Sequence, residues 1–135
     1  MVGALFFIMV TIPVSVGELI DKISILQIKK TKITDETKLA KVEKELSHLY
    51  KMAGPFLVND SISVLYEDLI GVNSQLWTIE DKLRILEKEH KFEGEFISLA
   101  RAVYHLNDER FSLKSKINIL TDSDIQEVKQ YIDYK

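Results

Sequence analysis

Cysteine is absent from the chain, which excludes thiol nucleophiles, disulfides and thiolate metal sites and fits a cytoplasmic protein. No basic excess is present either. The formal net charge is −3 and the lysines interleave with Glu and Asp along every segment, as on solvated helix faces. Nucleic acid, which needs a concentrated basic surface, is therefore not an expected partner. No apolar run reaches the roughly 20 residues of a membrane span, because Pro13 interrupts the one candidate, Leu5 to Val10. Basic residues ahead of that run and a small-residue cleavage site after it are missing, so a signal peptide is not expected. Repeats, low-complexity linkers, period-two alternation and hairpin-turn signals are all lacking, which leaves little room for a β-rich fold.

What is present reads as one helical domain. With 46% apolar and 29% charged residues the composition is globular, and the chain is long enough to bury a core. Residues 1–14 form an apolar, extended lead-in, with β-branched residues running into Pro13. Two readings of its start are open: Met9 as the native start with Met1 to Ile8 as an upstream extension, or an additional strand or anchor. The domain proper is expected over 15–122, and a short C-terminal helix or tail over 123–135.

The spacing of apolar residues predicts four main helices. Ser15-Val16-Gly17-Glu18 has the form of a capping box and opens a first helix through Leu19, Ile23 and Leu26 toward Ile33. Thr34 is the expected cap of a second, with the stripe Leu39, Val42, Leu46, Leu49 and Ala53, ended by Gly54-Pro55. Asp60 or Ser61 is the expected cap of a third, with Ile62, Leu65, Leu69, Val72, Leu76, Ile79, Leu83 and Leu86 on one seam. Gly94 offers a turn, and a fourth helix carries Phe96, Leu99, Val103, Leu106, Arg110, Leu113, Ile117 and Leu120. Asp122 to Asp124 are placed to cap a last short helix ending near Tyr131. Alternating three-four spacing predicts an all-α fold: an antiparallel helical bundle of two helical hairpins with coiled-coil-like seams and a short extended N-terminal segment.

Few residues carry chemistry. His48, His90 and His105 are too scattered to pair as metal ligands, and there is no HExxH, phosphate loop or nucleophile elbow. No metal or cofactor is expected. Arg110 is the sharpest anomaly, a charge on an apolar seam that needs a desolvated partner. In the antiparallel register it faces the Asp68 to Asn73 stretch, making Asp68 the natural partner, with Gly71 giving room. Arginine occurs only at Arg84, Arg101 and Arg110, and a seam position kept as arginine suggests use of its bidentate fork on Asp68 or on an anionic ligand. Asn107 and Lys114 share that edge and complete a candidate anion-binding set with Arg110.

The candidate carboxylates are Glu18, Asp21, Glu80 and Asp81. For the first two, a helix cap and a structural ion pair compete with magnesium binding. Asp21 lies with Ile25 and Ile28 on a second apolar face of the first helix, and a helix apolar on two sides is buried or shared between subunits. Trp77 and Tyr104 are candidate pocket walls, against the plainer reading of both as core.

Three stretches are familiar together. Ile12-Pro13-Val14-Ser15-Val16-Gly17-Glu18-Leu19-Ile20-Asp21-Lys22-Ile23, Val72-Asn73-Ser74-Gln75-Leu76-Trp77-Thr78-Ile79-Glu80-Asp81 and Leu99-Ala100-Arg101-Ala102-Val103-Tyr104-His105-Leu106-Asn107-Asp108-Glu109-Arg110 resemble a bacterial family of small helical proteins of unknown function. The resemblance continues through Lys114, Ile117-Asn118 and Tyr131. It implies no activity. Members begin a few residues before the Ile-Pro pair, which favours Met9 as the start, and the ending Val128 to Tyr131 departs from the family's more acidic one.

Two functions stand open on these grounds. The first is a non-catalytic helical module that forms a homo-oligomer or binds a protein partner. The second is a small all-α enzyme or binding protein for an anionic metabolite, with an architecture like chorismate mutase or the magnesium-dependent nucleotide pyrophosphohydrolases. In that version Arg110, Lys114 and Asn107 take the anion and Glu18, Asp21 or Glu80 serves as base or ligand.

Overall fold

The computed structural model describes residues 8–135; the expectations for Met1 to Phe7 lie outside them. Helix α1 (Val16–Lys32), α2 (Glu36–Leu57), α3 (Asp60–Lys88) and α4 (Gly94–Thr121) make up the fold, all-α among the described residues. Residues 8–14 carry no regular element and are exposed. Ser15 caps α1 in an extended conformation and its Oγ accepts from the Glu18 amide at 3.0 Å. Only that half of the capping box forms, because the Glu18 carboxylate turns elsewhere.

Several boundaries differ from the sequence expectation. Asp35, not Thr34, caps α2, its carboxylate accepting from the Lys38 amide at 2.9 Å; an anion outcompetes a hydroxyl at the positive end of the helix. Gly54-Pro55 does not end α2, which continues to Leu57 with Pro55 inside it. Proline in the last turn costs the hydrogen bond to the Lys51 carbonyl, and Lys51 is exposed, so water can replace it. Meanwhile Phe56 and Leu57 pack on the core, and that packing outweighs the breaker. The connection therefore shrinks to Val58-Asn59, and Asn59 caps α3 in place of Asp60 or Ser61, with its side chain accepting from Ile62.

The turn between α3 and α4 is made by His90, not by Gly94. His90 sits at φ 55, its amide donates to the Glu87 carbonyl at 3.1 Å and the Lys91 amide to the Leu86 carbonyl at 2.9 Å. That pair of bonds is a Schellman motif with histidine in the left-handed position. Asp122 does the same for α4. At φ 50 it lets the Ser123 amide reach the Asn118 carbonyl at 3.0 Å. The expected last helix does not form; Asp122 reverses the chain, and the tail beyond it returns along α4.

Helix α1 is the centre of the bundle and packs on all three others, while α2 touches α3 only slightly. Leu19, Ile20, Ile23, Leu26 and Ile28 are buried on both of its faces. On the second apolar face Asp21 and Ile28 are thus covered within this chain, and Ile25 is half-buried. Around α1 stand Val42, Leu46 and Ala53 of α2, Ile62, Tyr66, Leu69, Val72 and Leu76 of α3, and Leu113 and Ile117 of α4. Leu120, expected on the seam, is exposed.

The two hairpins are unequal. Helix α1 has 17 residues and α3 has 29, about 25 Å against about 43 Å at 1.5 Å per residue. The α3–α4 hairpin outruns its cover as an arm. From Trp77 to Ser112 only Leu86 is buried, and Ile79, Leu83, Phe96, Leu99, Val103 and Leu106 stay half-exposed. An edge-to-face pair, Phe92 on Phe96 with centroids 5.3 Å apart, closes the tip.

Candidate functional site

Where α1 crosses the base of the hairpin, the fold buries charge. Asp21 is 1% exposed, and an unpaired carboxylate there would cost several kcal/mol or more. Its partners come from two other helices. Arg110 donates Nε to Oδ1 at 2.9 Å and Nη2 to Oδ2 at 2.6 Å, a bidentate fork. Asn73 donates Nδ2 to the same Oδ1 at 2.9 Å and to the Ser24 Oγ at 2.8 Å. Ser24 in turn donates to the Asp21 carbonyl at 2.6 Å, so one turn of α1 holds both acceptors for the Asn73 amide. Among the described residues no buried side-chain polar atom lacks a partner. Hydrogen bonding to Asp21 raises the Arg110 guanidinium above its ordinary value, outweighing desolvation.

The cation expected on Asp68 is therefore on Asp21. Asp68 is exposed. Gly71 is exposed too, with nothing within 4 Å of where its Cβ would be, and makes room for neither Arg110 nor Phe111.

One turn along α4, Lys114 has a side chain only 8% exposed. Its Nζ donates to Glu18 Oε2 at 2.7 Å and lies 2.8 Å from Glu127 Oε2 and 3.9 Å from Asp21 Oδ2. Burial pulls the Lys114 ammonium down, but hydrogen bonds to Glu127 and Glu18, with the field of Asp21, more than offset it and hold the group above its ordinary value. Two cations against three carboxylates leave the cluster with one net negative charge.

The backbone is locked at the same crossing. The Gly17 amide donates to Asn118 Oδ1 at 2.7 Å and the Val16 amide to Ser123 Oγ at 3.3 Å. With Ser15 serving Glu18, three of the unpaired first amides of α1 are satisfied, two of them from the far end of the chain. A Cβ on Gly17 would stand 2.5 Å from the Lys114 carbonyl oxygen. Only glycine admits this approach, and the approach is what brings Glu18 to Lys114.

The fold thus gathers Glu18, Asp21, Arg110 and Lys114. Asn107 is half-buried on the same edge of α4, and among the described residues no hydrogen bond engages its amide. Glu80 and Asp81 are exposed on the arm, Glu80 in an i,i+4 pair with Arg84 at 3.7 Å. Trp77 is half-buried at the start of the arm. Tyr104 is exposed and stacks edge-to-face on Tyr134 of the tail at 4.9 Å. Sequence reasoning passed over Ser24, Ser123 and Glu127. A serine inside an apolar stripe signals Ser24; Glu127, in a tail with no apolar period, has no local signal. Among the described residues no three His, Asp or Glu side chains stand together as a metal site, and no helix is long and apolar enough to cross a membrane.

The chain belongs to a family of unknown function (DUF6165), which it matches over residues 10–134. Neither the curated proteins nor the solved structures contain a match.

Proposed function

We propose that this member of a family without an assigned activity is a self-associating helical module, and that its occupant is a second copy docked on the arm of the α3–α4 hairpin. The observation that carries the reading is the seam from Trp77 to Ser112, which continues the apolar three-four pattern with only Leu86 buried. An isolated pair of helices leaves such a seam half in water. Two pairs cover it as a four-helix arrangement, the geometry that sustained three-four spacing favours.

Charge favours a second copy as the occupant. A shallow groove runs between Glu80, Leu83, Arg84 and Glu87 on α3 and Phe96 and Val103 on α4. Its α3 edge alternates sign, Glu80, Arg84, Glu87. An antiparallel two-fold sets Arg84 of one copy against Glu80 or Glu87 of the other, so the edge complements itself, as a closed dimer requires. Exposed Ile85, Phe92 and Ile97 extend the apolar surface toward the roughly 800 Å² per partner of a stable interface. The acidic balance of the chain speaks for a protein rather than a nucleic acid on this surface.

Sedimentation equilibrium tests it. The expected result is a dimer at micromolar concentration that Leu83→Glu and Val103→Glu each convert to monomer, with the circular dichroism unchanged. A wild-type monomer at about 100 µM, where even a Kd near 10 µM would leave most chains paired, overturns it.

A further inference from the structure

The tail beyond Asp122 is held by polar contacts and has almost no core. Ile125, Val128, Tyr131 and Ile132 are all exposed. What ties it down is Glu127 on Lys114, Lys129 over the Phe111 ring at 5.2 Å, and Tyr134, which donates to Asp108 and rests on His105 and Tyr104. The exposed contacts among these contribute little each, and Glu127 is the one tail residue that reaches a buried charge, so the tail is the most readily detached part of the site. The remaining groups do not depend on it: Asp21, Ser24, Asn73, Arg110 and Lys114 are positioned by helices around a packed core.

Without Glu127 the charges at the site change. Asp21 and Glu18 then balance Arg110 and Lys114, and the cluster is neutral. The buried ammonium keeps Glu18 at 2.7 Å and Asp21 at 3.9 Å and loses the second of its two close carboxylates. Beside it, Arg110 uses its Nε–Nη2 edge on Asp21; no hydrogen bond engages its Nη1 among the described residues, and 29% of its side chain is exposed. Asn107 stands one turn away on the same edge of α4 with its amide unengaged. Arg110 Nη2 and Lys114 Nζ converge on one oxygen, Asp21 Oδ2, at 2.6 and 3.9 Å.

We propose that Lys114 is the centre of a carboxylate-binding site that Glu127 of the tail fills in the free protein, and that a small carboxylic acid takes the place of Glu127 and releases the tail. The ligand class follows from the occupant. A single carboxylate on Lys114 Nζ is what the site already holds, and it restores the same one net negative charge. A phosphate dianion would bring twice that charge to a site that is neutral without the tail. Arg110 Nη1 and Asn107 are the donors available to a second polar group of the ligand. The site lies at the base of the bundle, and its test is independent of pairing through the arm.

The test uses the full chain carrying Glu127→Gln, which leaves every helix contact in place. Acetate and, separately, inorganic phosphate are titrated at constant ionic strength while the amide resonances of α1, α4 and the tail are followed by NMR. Acetate is expected to shift the signals around Glu18 and Lys114 saturably, with an apparent affinity at least tenfold higher in Glu127→Gln than in the wild type. In the wild type the tethered carboxylate competes at an effective concentration in the millimolar range. Acetate in the wild type should also move the His105 and Tyr134 signals as the tail leaves. Phosphate is expected to bind more weakly than acetate. Equal acetate affinity in the two proteins, no saturable response in Glu127→Gln, or a preference for phosphate would overturn the proposal. If Glu127→Gln misfolds, the wild-type titration decides alone: saturable shifts at Lys114 without movement of Tyr134 refute the exchange.

Discussion

Asp21 shows how much one buried charge depends on residues distant in sequence. Four nitrogen atoms from α3 and α4 stand at its carboxylate, three as donors and Lys114 Nζ at 3.9 Å, and removing it leaves Arg110 partly desolvated without its ion-pair partner. Asp21→Ala is expected to cost about 3–5 kcal/mol in urea unfolding, the range for breaking a buried pair from one side. Asp68→Ala, at an exposed position, is expected to stay within about 0.5 kcal/mol. The reverse order would return Arg110 to the partner that sequence register suggested. That register placed Arg110 correctly on its own helix and against α3, but its partner came from α1. Spacing along two helices carries no information about a third that crosses them.

At the scale of elements, the helices end where tertiary contacts and carbonyl capping allow, not where the strongest breakers stand. Pro55 is passed over while His90 and Asp122, ordinary L residues, take left-handed conformations that cost them energy. His90 is exposed and serves the turn through its backbone alone, so His90→Gly is expected to raise stability by about 0.5–1 kcal/mol. A thermal melt reads this as a small upward shift in Tm, and a downward shift would mean that the ring contact with Phe92, at 6.3 Å between centroids, matters more than the backbone. Central placement also changes what a substitution in α1 reports. Ile28 is 5% exposed inside the fold, so Ile28→Glu disturbs folding and cannot serve as a probe of assembly. The two apolar faces of α1 were legible in its sequence; that Asp21 and Ile28 of the second are covered within one chain was not.

For the whole molecule, the unequal length of the two hairpins divides it into a well-buried base and a thinly packed arm. Local opening follows buried apolar contact. Amide hydrogen exchange in dilute, monomeric protein is therefore expected to be at least tenfold faster for residues 79–85 and 96–104 than for 62–72 and 113–118. Raising the concentration should slow exchange in the arm selectively if copies pair there. Uniform protection along α3 at low concentration would show that the arm needs no cover. Both hairpins were readable from the three-four spacing, yet the spacing continues unchanged from base to arm, because an apolar position reads the same whether its partner belongs to this chain or to another.

The sequence by itself determined the helical class, the four main helices and the faces they bury, since these rest on local periodicity and on caps such as Ser15 that act within a few residues. It also marked Arg110 as a charge out of place on its seam and Asp21 as a carboxylate on an apolar face, and named Glu18 and Lys114 as candidates beside them. Only the tertiary structure decided that these four form one network, that Gly17 is the close contact bringing α1 onto α4, and that Glu127 of the tail closes over Lys114. The physical reason is the separation involved: the hydrogen bonds that tie α1 to α3, α4 and the tail span from 49 to 107 residues along the chain, and Glu127 meets Lys114 only because the chain reverses at Asp122. Over such distances propensity and period carry no signal, and only the packing of the core brings the partners together.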